Sequence, residues 1–352
     1  MKTIWLLLLV LSNTAYSQYY SNSYYDFLQE LYLERQPSAM GQAIGGGLVA
    51  SPGNEFGSYY NPAITGLSDG ISIASSFSNH YKFFPDAKFS YYSASYKIKK
   101  IGSFGLSRYK VKYSDASLTM ESYYNTIYTL NYSREILKNF YGGVNINIVE
   151  PHNPGEINKL LVPIDIGLLI KIPVEKNGKS VAQLFQLGGA FYNISSVKYS
   201  NSNLDPHYFV LPSILRWGGS YKIDIKGNPI FPKSNIFSFL EVTEFEWVTN
   251  SSRYVKIKLG GEVTFFDIFS FRAGYTIGNT FERSTSGKLN GDSYGAGVKI
   301  PVDLIFQLAS PLSLSIDYVN LEQPPERDWW NGVERFGKFN TVSLKLNWVP
   351  TI

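Results

Sequence analysis

The amino-acid sequence predicts an all-β protein, a transmembrane antiparallel β-barrel of about fourteen strands with an N-terminal plug segment. Three observations carry this expectation. The first is a two-residue rhythm. Over 160–172, Leu160, Val162, Ile164, Ile166, Leu168, Ile170 and Ile172 alternate with a second set that includes Asp165, Gly167 and Lys171. A period of two is a strand with one apolar face, and charges on the other face are tolerated only beside water or partners. The rhythm returns as Val144, Ile146 and Ile148 against Asn145 and Asn147, and as Leu215, Trp217, Tyr221, Ile223 and Ile225 against Arg216, Ser220, Lys222 and Asp224. It returns again as Val255, Ile257, Leu259, Val263 and Phe265 against Lys256, Lys258, Glu262 and Thr264. The second observation is the 27 Tyr and 23 Phe, a content expected where ring girdles sit at both faces of a membrane. The third is that residues 18–352 hold no apolar run long enough for a membrane-crossing helix, so alternating strands are left to carry a membrane reading.

Taken in order, the chain opens with Met1-Lys2-Thr3, a short apolar run over 4–11, and Ala15-Tyr16-Ser17 as a small-x-small cleavage site before Gln18. That is a secretory signal over 1–17. The sequence has no cysteine, which excludes a disulfide framework, a thiolate metal site, a cysteine nucleophile and a lipid-modified N-terminal cysteine. Export, alternation and aromatic content together place the chain in a bacterial outer membrane, crossing it many times and contacting its lipid. With 32 Lys and Arg against 28 Asp and Glu the net charge is only +4, and scattered basic residues leave no footprint for nucleic acid.

Residues 18–69 form the N-terminal part. Phe27, Leu28, Leu31 and Leu33 among Asp26, Glu30 and Glu34 suit a short amphipathic helix ended by Pro37. Next come Ser38-Ala39-Met40-Gly41, the glycine run Gly45-Gly46-Gly47, and Tyr60-Asn61-Pro62-Ala63 followed by Gly66-Leu67. Glycine at this density allows close backbone packing or positive φ, so the stretch reads either as a flexible loop and turn or as a folded plug. These motifs, together with Leu312-Ser313-Leu314-Ser315-Ile316-Asp317-Tyr318, resemble the FadL superfamily of outer-membrane proteins and its PorV/PorQ branch in particular. Ile64-Thr65 between Ala63 and Gly66 departs from that pattern. The resemblance implies a plug motif of Ala39, Gly41, Gly45, Gly46, Gly47, Asn61, Pro62, Ala63 and Gly66.

From residue 70 onward the barrel strands are expected at 70–80, 86–98, 101–112, 122–134, 139–149, 160–172, 182–198, 210–225, 235–248, 253–266, 268–278, 292–302, 312–320 and 340–350. The even count suits a closed antiparallel barrel with both ends at the periplasmic side. Short connections such as Lys99-Lys100 then fall on that side, and the longer 150–159, 199–209, 279–291 and 321–339 fall outside. Glu244 and Glu246 share a face with Leu240 and Val242, which points that strand at a partner, a plug or a bulge. Gly188-Gly189, Gly218-Gly219 and Gly260-Gly261 read as bends or bulges, with a lateral opening as the alternative. Asp165, Lys171, Arg216, Lys222, Arg272, Lys299, Asp317 and Lys345 are expected to face the lumen and satisfy one another there.

Catalytic, cofactor and metal sites are expected to be absent. His80, His152 and His207 have no metal-ligand spacing. Ser78 and His80 share a face, but the lumenal one with Ser72, Ala74 and Ser76, where a membrane-facing hydrolase would not place them. The glycines of 41–47 precede no Lys-Ser or Lys-Thr, so they are no phosphate loop. Trp329, Trp330 and Phe336, in an external loop, are a candidate partner-contact surface. The PorV/PorQ resemblance implies a non-enzymatic barrel of type IX protein secretion that binds a translocon or a cargo signal domain. The alternatives are a FadL-like channel for hydrophobic compounds such as long-chain fatty acids, and a general diffusion porin.

Overall fold

The computed structural model describes residues 36–350 except 82–83, 115–121, 153–159, 175–179, 196–197, 201–207, 211–212, 228–233, 250–254, 280–287, 323–325, 328–333 and 336–337. Its strands are β1 (Ile71–Tyr81), β2 (Phe84–Ile98), β3 (Gly102–Ser114), β4 (Ser122–Leu137), β5 (Phe140–His152), β6 (Ile164–Val174), β7 (Val181–Tyr192), β8 (Lys198–Ser200) and β9 (Tyr208–Val210). They continue as β10 (Ile214–Lys226), β11 (Asn235–Val248), β12 (Val255–Phe265), β13 (Phe269–Asn279), β14 (Lys288–Pro301), β15 (Leu312–Glu322), β16 (Glu326–Arg327), β17 (Glu334–Arg335) and β18 (Lys338–Trp348). Fourteen of them close into one barrel in the order β1-β18-β15-β14-β13-β12-β11-β10-β7-β6-β5-β4-β3-β2, while β8-β9 and β16-β17 are short hairpins in the loops. Each barrel strand is antiparallel to its neighbours, and β1 meets β18 with Ile71 opposite Trp348.

All fourteen expected segments correspond to barrel strands, with two instructive differences at their ends. The segment expected to run to 198 stops at Tyr192, because Asn193 turns the chain with φ 51. The segment expected from 160 begins regular pairing only at Ile164. Before it, Pro163 has no N–H to give the ladder, and Leu161 bridges Val149 alone. The connection after β14 also contains a short helix, α3 (Val302–Phe306).

The faces are decided by exposure. Val162, Ile164, Ile166, Leu168, Ile170 and Ile172 are 37–50% exposed, whereas Asp165 is 6% exposed and Leu169 0%. A water-soluble barrel with an apolar core would show the reverse. The outside also carries ring pairs such as Phe104–Tyr132 at 5.1 Å and Phe237–Phe265 at 5.7 Å. An apolar outer band with a polar lining is the construction of an outer-membrane β-barrel. Among the described residues no helix is long and apolar enough to cross a membrane.

Both ends of the wall lie at one rim, together with the tight turns at 99–101, 138–139 and 266–268. Lys100, Asn139, Phe266 and Asp267 adopt positive φ there. The three longest connections, after β5, β7 and β15, lie at the opposite rim. Upstream of β1, residues 36–70 run inside the barrel, with α1 (Ala39–Ala43), α2 (Gly57–Tyr60) and a 3-10 turn at Ile64–Leu67. This inner segment supplies most of the large, fully buried apolar side chains: Ile44, Leu48, Phe56, Tyr60 and Ile64.

Candidate functional site

Much of the inner segment's hold on the wall runs through its backbone N–H and C=O groups. Ser38 caps α1 by accepting from Gly41 N at 3.1 Å, and Ala39 N donates to Ser343 Oγ on β18 at 2.9 Å. Gly45 and Gly46 take φ of 70 and 85, a turn that L side chains resist. At that turn Gly45 N donates to Ser293 Oγ at 3.1 Å, and Thr276 Oγ1 donates to Gly45 O at 3.0 Å. Further on, Val49 N donates to Glu244 Oε2 at 2.8 Å and Ser220 Oγ donates to Ala50 O at 2.6 Å. Asn61 fixes the far end: its Nδ2 donates to Val49 O at 2.8 Å and to Leu168 O at 3.0 Å, while its Oδ1 accepts from Ala63 N. Asn131 Nδ2 donates to Pro62 O at 3.0 Å, and Gly66 lies against Ser133 and Tyr141.

The wall meets this backbone with glycines. A Cβ at Gly143 would overlap the Pro62 carbonyl, at Gly167 the Asn61 side chain, and at Gly188 the Val49 carbonyl. One at Gly260 or Gly274 would overlap the backbone of Ile44 or Gly45, and one at Gly295 the Ala43 side chain. The glycine pairs are therefore not bends or bulges, and no opening accompanies them. Pairing runs without interruption through Gly218 and Gly188 and through Gly260 and Gly274. The register shifts of the described strands lie near strand ends, beside Asn79, Glu135 and Ile225. At 188 and 260 the inward glycine makes room for the inner segment, while Gly218 packs on the backbone of Thr243 and Glu244 in β11.

Charges reinforce this seat. Glu244 and Glu246 point inward beside Leu240 and Val242, all at most 3% exposed. Lys258 Nζ lies 2.9 Å from Glu244 and 2.7 Å from Glu246, and Arg216 Nε lies 2.7 Å from Glu246. Arg216 and Lys258 thus share one buried site with Glu244 and Glu246, and Lys256, 4% exposed, stands opposite Glu246 as a third cation, the kind of pairing that burial of charge demands. A second chain joins Arg272 to Glu262 and to Asp317 at 2.8 Å, Asp317 to Lys345 at 2.9 Å, and Lys345 to Glu55 of the inner segment at 3.7 Å. Of the charges expected to line the lumen, Lys222 pairs with Asp224 at 3.0 Å and Lys171 lies 5.9 Å from the Tyr141 ring.

Between the inner segment and the rim of long loops lies a cavity of about 120 Å³. Tyr59 of α2 and the wall tyrosines Tyr91, Tyr109 and Tyr192 give it aromatic faces, and Ile127, Val149 and Ile214 add aliphatic ones. Tyr59 meets Tyr91 and Tyr109 edge-on at 6.4 and 6.2 Å. Arg216 stacks over Tyr192 at 4.7 Å and Tyr59 at 5.6 Å. The polar edge is internally satisfied: Asp165 accepts from Asn145 at 3.1 Å, from Asn147 at 2.7 Å and from Asn193 N at 2.9 Å. Burial raises the phenols of Tyr59 and Tyr60 above the ordinary tyrosine value of 10.0, so both stay neutral.

Sequence reasoning missed the four tyrosines. Their signal was a large ring at an inward position, as in Tyr91 between Phe89 and Ser93, where alternation calls for a small or polar residue. Trp329, Trp330 and Phe336, residues 1–35 and His207 lie outside the described residues, as do the side chains of His80 and His152. Among the described residues no group of three or more His, Asp or Glu could hold a metal ion.

No family model matches the sequence, and no curated protein matches it. Solved structures do. A Pseudomonas aeruginosa FadL homologue is 11% identical, over 90% of this chain and 98% of that one, with a TM-score of 0.47. The Ralstonia pickettii toluene transporter TbuX is 9% identical, over 89% and 98%, with a TM-score of 0.45. The Pseudomonas putida toluene transporter TodX is 10% identical, over 88% and 97%, with a TM-score of 0.43. The likeness is one of backbone arrangement.

Proposed function

We propose that this barrel is an outer-membrane channel for small hydrophobic compounds, with the inner segment as the plug that closes it and the tyrosine-lined cavity as the site where a solute waits. The cavity carries the reading. A general porin needs an open aqueous lumen, whereas this lumen holds a buried chain segment and, above it, an aromatic pocket whose polar groups are already partnered. Such a pocket rewards apolar surface and offers little to a charged solute. Its volume of about 120 Å³ is of the order of the ~150 Å³ apolar cavity that admits benzene, so it suits a ring compound or the end of an alkyl chain. In this reading Ala39, Gly41, Gly45, Gly46, Gly47, Asn61, Pro62, Ala63 and Gly66 seat the plug.

The secretion reading rests on the PorV/PorQ resemblance, and its candidate contact surface, Trp329, Trp330 and Phe336, lies outside the described residues. The test is binding of naphthalene or an alkylated benzene to the purified barrel in detergent, followed by tyrosine fluorescence. The expected result is saturable binding that Tyr109→Asp weakens about tenfold or more, the effect of placing a carboxylate against an apolar ligand. No saturable binding, with the native protein co-purifying with a large secretion barrel, replaces the channel with the secretion reading.

A further inference from the structure

Among the described residues, the rim that carries the tight turns is not evenly charged. The β2–β3 turn presents Lys99 and Lys100, the β4–β5 turn presents Lys138, and Arg134 stands near the end of β4, one residue before Glu135. All four basic side chains are exposed, and among the described residues none of them is ion-paired. Two acids stand beside these residues, and each has a partner outside the four: Glu135 accepts from Asn139 N at 2.7 Å, and Asp69 pairs with Lys97 at 2.8 Å. The two turns are two strands apart, about 10 Å at the usual strand spacing. Among the basic residues at the same rim are Ile101 and Ile136, each 52% exposed, and Leu137, 68% exposed, with Ile136 and Leu137 between Arg134 and Lys138 in the chain. The ring pair Phe104–Tyr132 follows, with Tyr132 Oη donating to Ile101 O at 2.8 Å. Further down come Leu106 and Leu130, 57% and 54% exposed. Read outward along the wall, Leu106 and Leu130 give way to the Phe104–Tyr132 pair and then to a rim where the basic residues are interleaved with Ile101, Ile136 and Leu137, so the rings sit between the acyl-chain level and the headgroup level. Elsewhere on this rim the described turns bear Asp267 and Asp303, and Lys226 and Lys299 continue the lumenal face of their strands.

We infer that Lys99, Lys100, Arg134 and Lys138 form a binding surface for anionic phospholipid of the adjoining leaflet. The apolar residues hold the acyl chains and the four cations hold the phosphate. The occupant is lipid rather than free phosphate because the basic patch is continuous with the lipid-facing band and has exposed aliphatic side chains below it.

The test is native mass spectrometry of the full-length protein taken from nanodiscs of equimolar phosphatidylglycerol and phosphatidylcholine. The retained lipid is expected to be enriched about fivefold or more in phosphatidylglycerol, the contribution of a single basic residue at an anionic surface. The enrichment should vanish in K99Q/K100Q/R134Q/K138Q and persist in K226Q/K299Q. On the unaltered protein it should fall at high salt, whatever the folding of the variants. Retention without preference for phosphatidylglycerol, preference indifferent to salt, or equal loss in K226Q/K299Q each overturns the assignment.

Discussion

Adding a methyl group at the inward glycines of the wall should unseat the inner segment while leaving the barrel standing. A Cβ at Gly143, Gly188 or Gly260 falls on the backbone of Pro62, Val49 or Ile44, which no rotamer change can move aside. Overpacking of this kind costs about 1–3 kcal/mol per site. The three sites touch different parts of the segment, so their costs add, to about 3–9 kcal/mol. That multiplies the displaced population by about a hundredfold to a millionfold. The strands themselves lose nothing, since alanine is easier than glycine to order in a strand by about 0.5–1 kcal/mol. The triple variant should therefore keep the heat-modifiable gel mobility of a folded barrel, conduct ions across a planar bilayer where the parent does not, and expose residues 36–70 to protease. Gly189→Ala is the control, because the nearest atom to its added carbon is Arg216 O at 3.9 Å. A folded triple variant that conducts no better than Gly189→Ala and keeps the segment protected would refute the glycine seat.

Other changes probe the same seat from its charged and polar sides. Glu244→Gln keeps an acceptor for Val49 N but leaves Arg216 and Lys258 to share Glu246; at that burial it should cost about 3–5 kcal/mol, read as a lowered unfolding temperature on heat-modifiability gels. Asn61→Ala removes two donations and one acceptance and should cost the seat about 1–3 kcal/mol, seen as faster proteolysis between 48 and 63 with the barrel intact. The raised phenols of Tyr59 and Tyr60 favour their neutral forms, so their packing contributes fully below pH 10.0 and is lost as pH rises through the higher folded value. Protease protection of the segment should hold from neutral pH to about 9 and fail in strong alkali, and Tyr60→Phe should move that failure upward; a failure at unchanged pH would count against it.

Strand number and facing were legible in the sequence because a membrane wall is repetitive: every second residue from 162 to 172 must satisfy lipid, and the rule holds wherever the chain crosses. Glu244 and Glu246 beside Leu240 and Val242 also read correctly as a strand facing something other than open water. The glycine pairs were misread. A glycine at 188 or 260 looks the same in sequence whether it relieves a bulge or admits a neighbour, and the neighbour here is more than a hundred residues distant. The cavity was hidden for a related reason. Tyr59, Tyr91, Tyr109 and Tyr192 come from four separate elements, and in a chain with 27 tyrosines composition alone assigns them to the membrane girdles.

These two misreadings have one physical source. Alternation describes how a strand meets two uniform media, lipid outside and water inside, and it fails where the inside is occupied by chain. Wherever the inner segment passes, the lining has to supply what a protein interior supplies: glycines where backbones touch, paired charges where water is excluded, and rings where apolar surface remains. Exceptions to the polar lining at Leu169, Leu240, Val242, Tyr91 and Tyr109, all at most 5% exposed, therefore trace the path of the segment and its cavity across the wall. An empty lumen would have no reason to keep them apolar, and replacing Leu240 or Val242 with serine discriminates the two cases. Against water the change should leave stability within about 0.5 kcal/mol; against the segment it should cost about 2–3 kcal/mol per site and loosen the segment first.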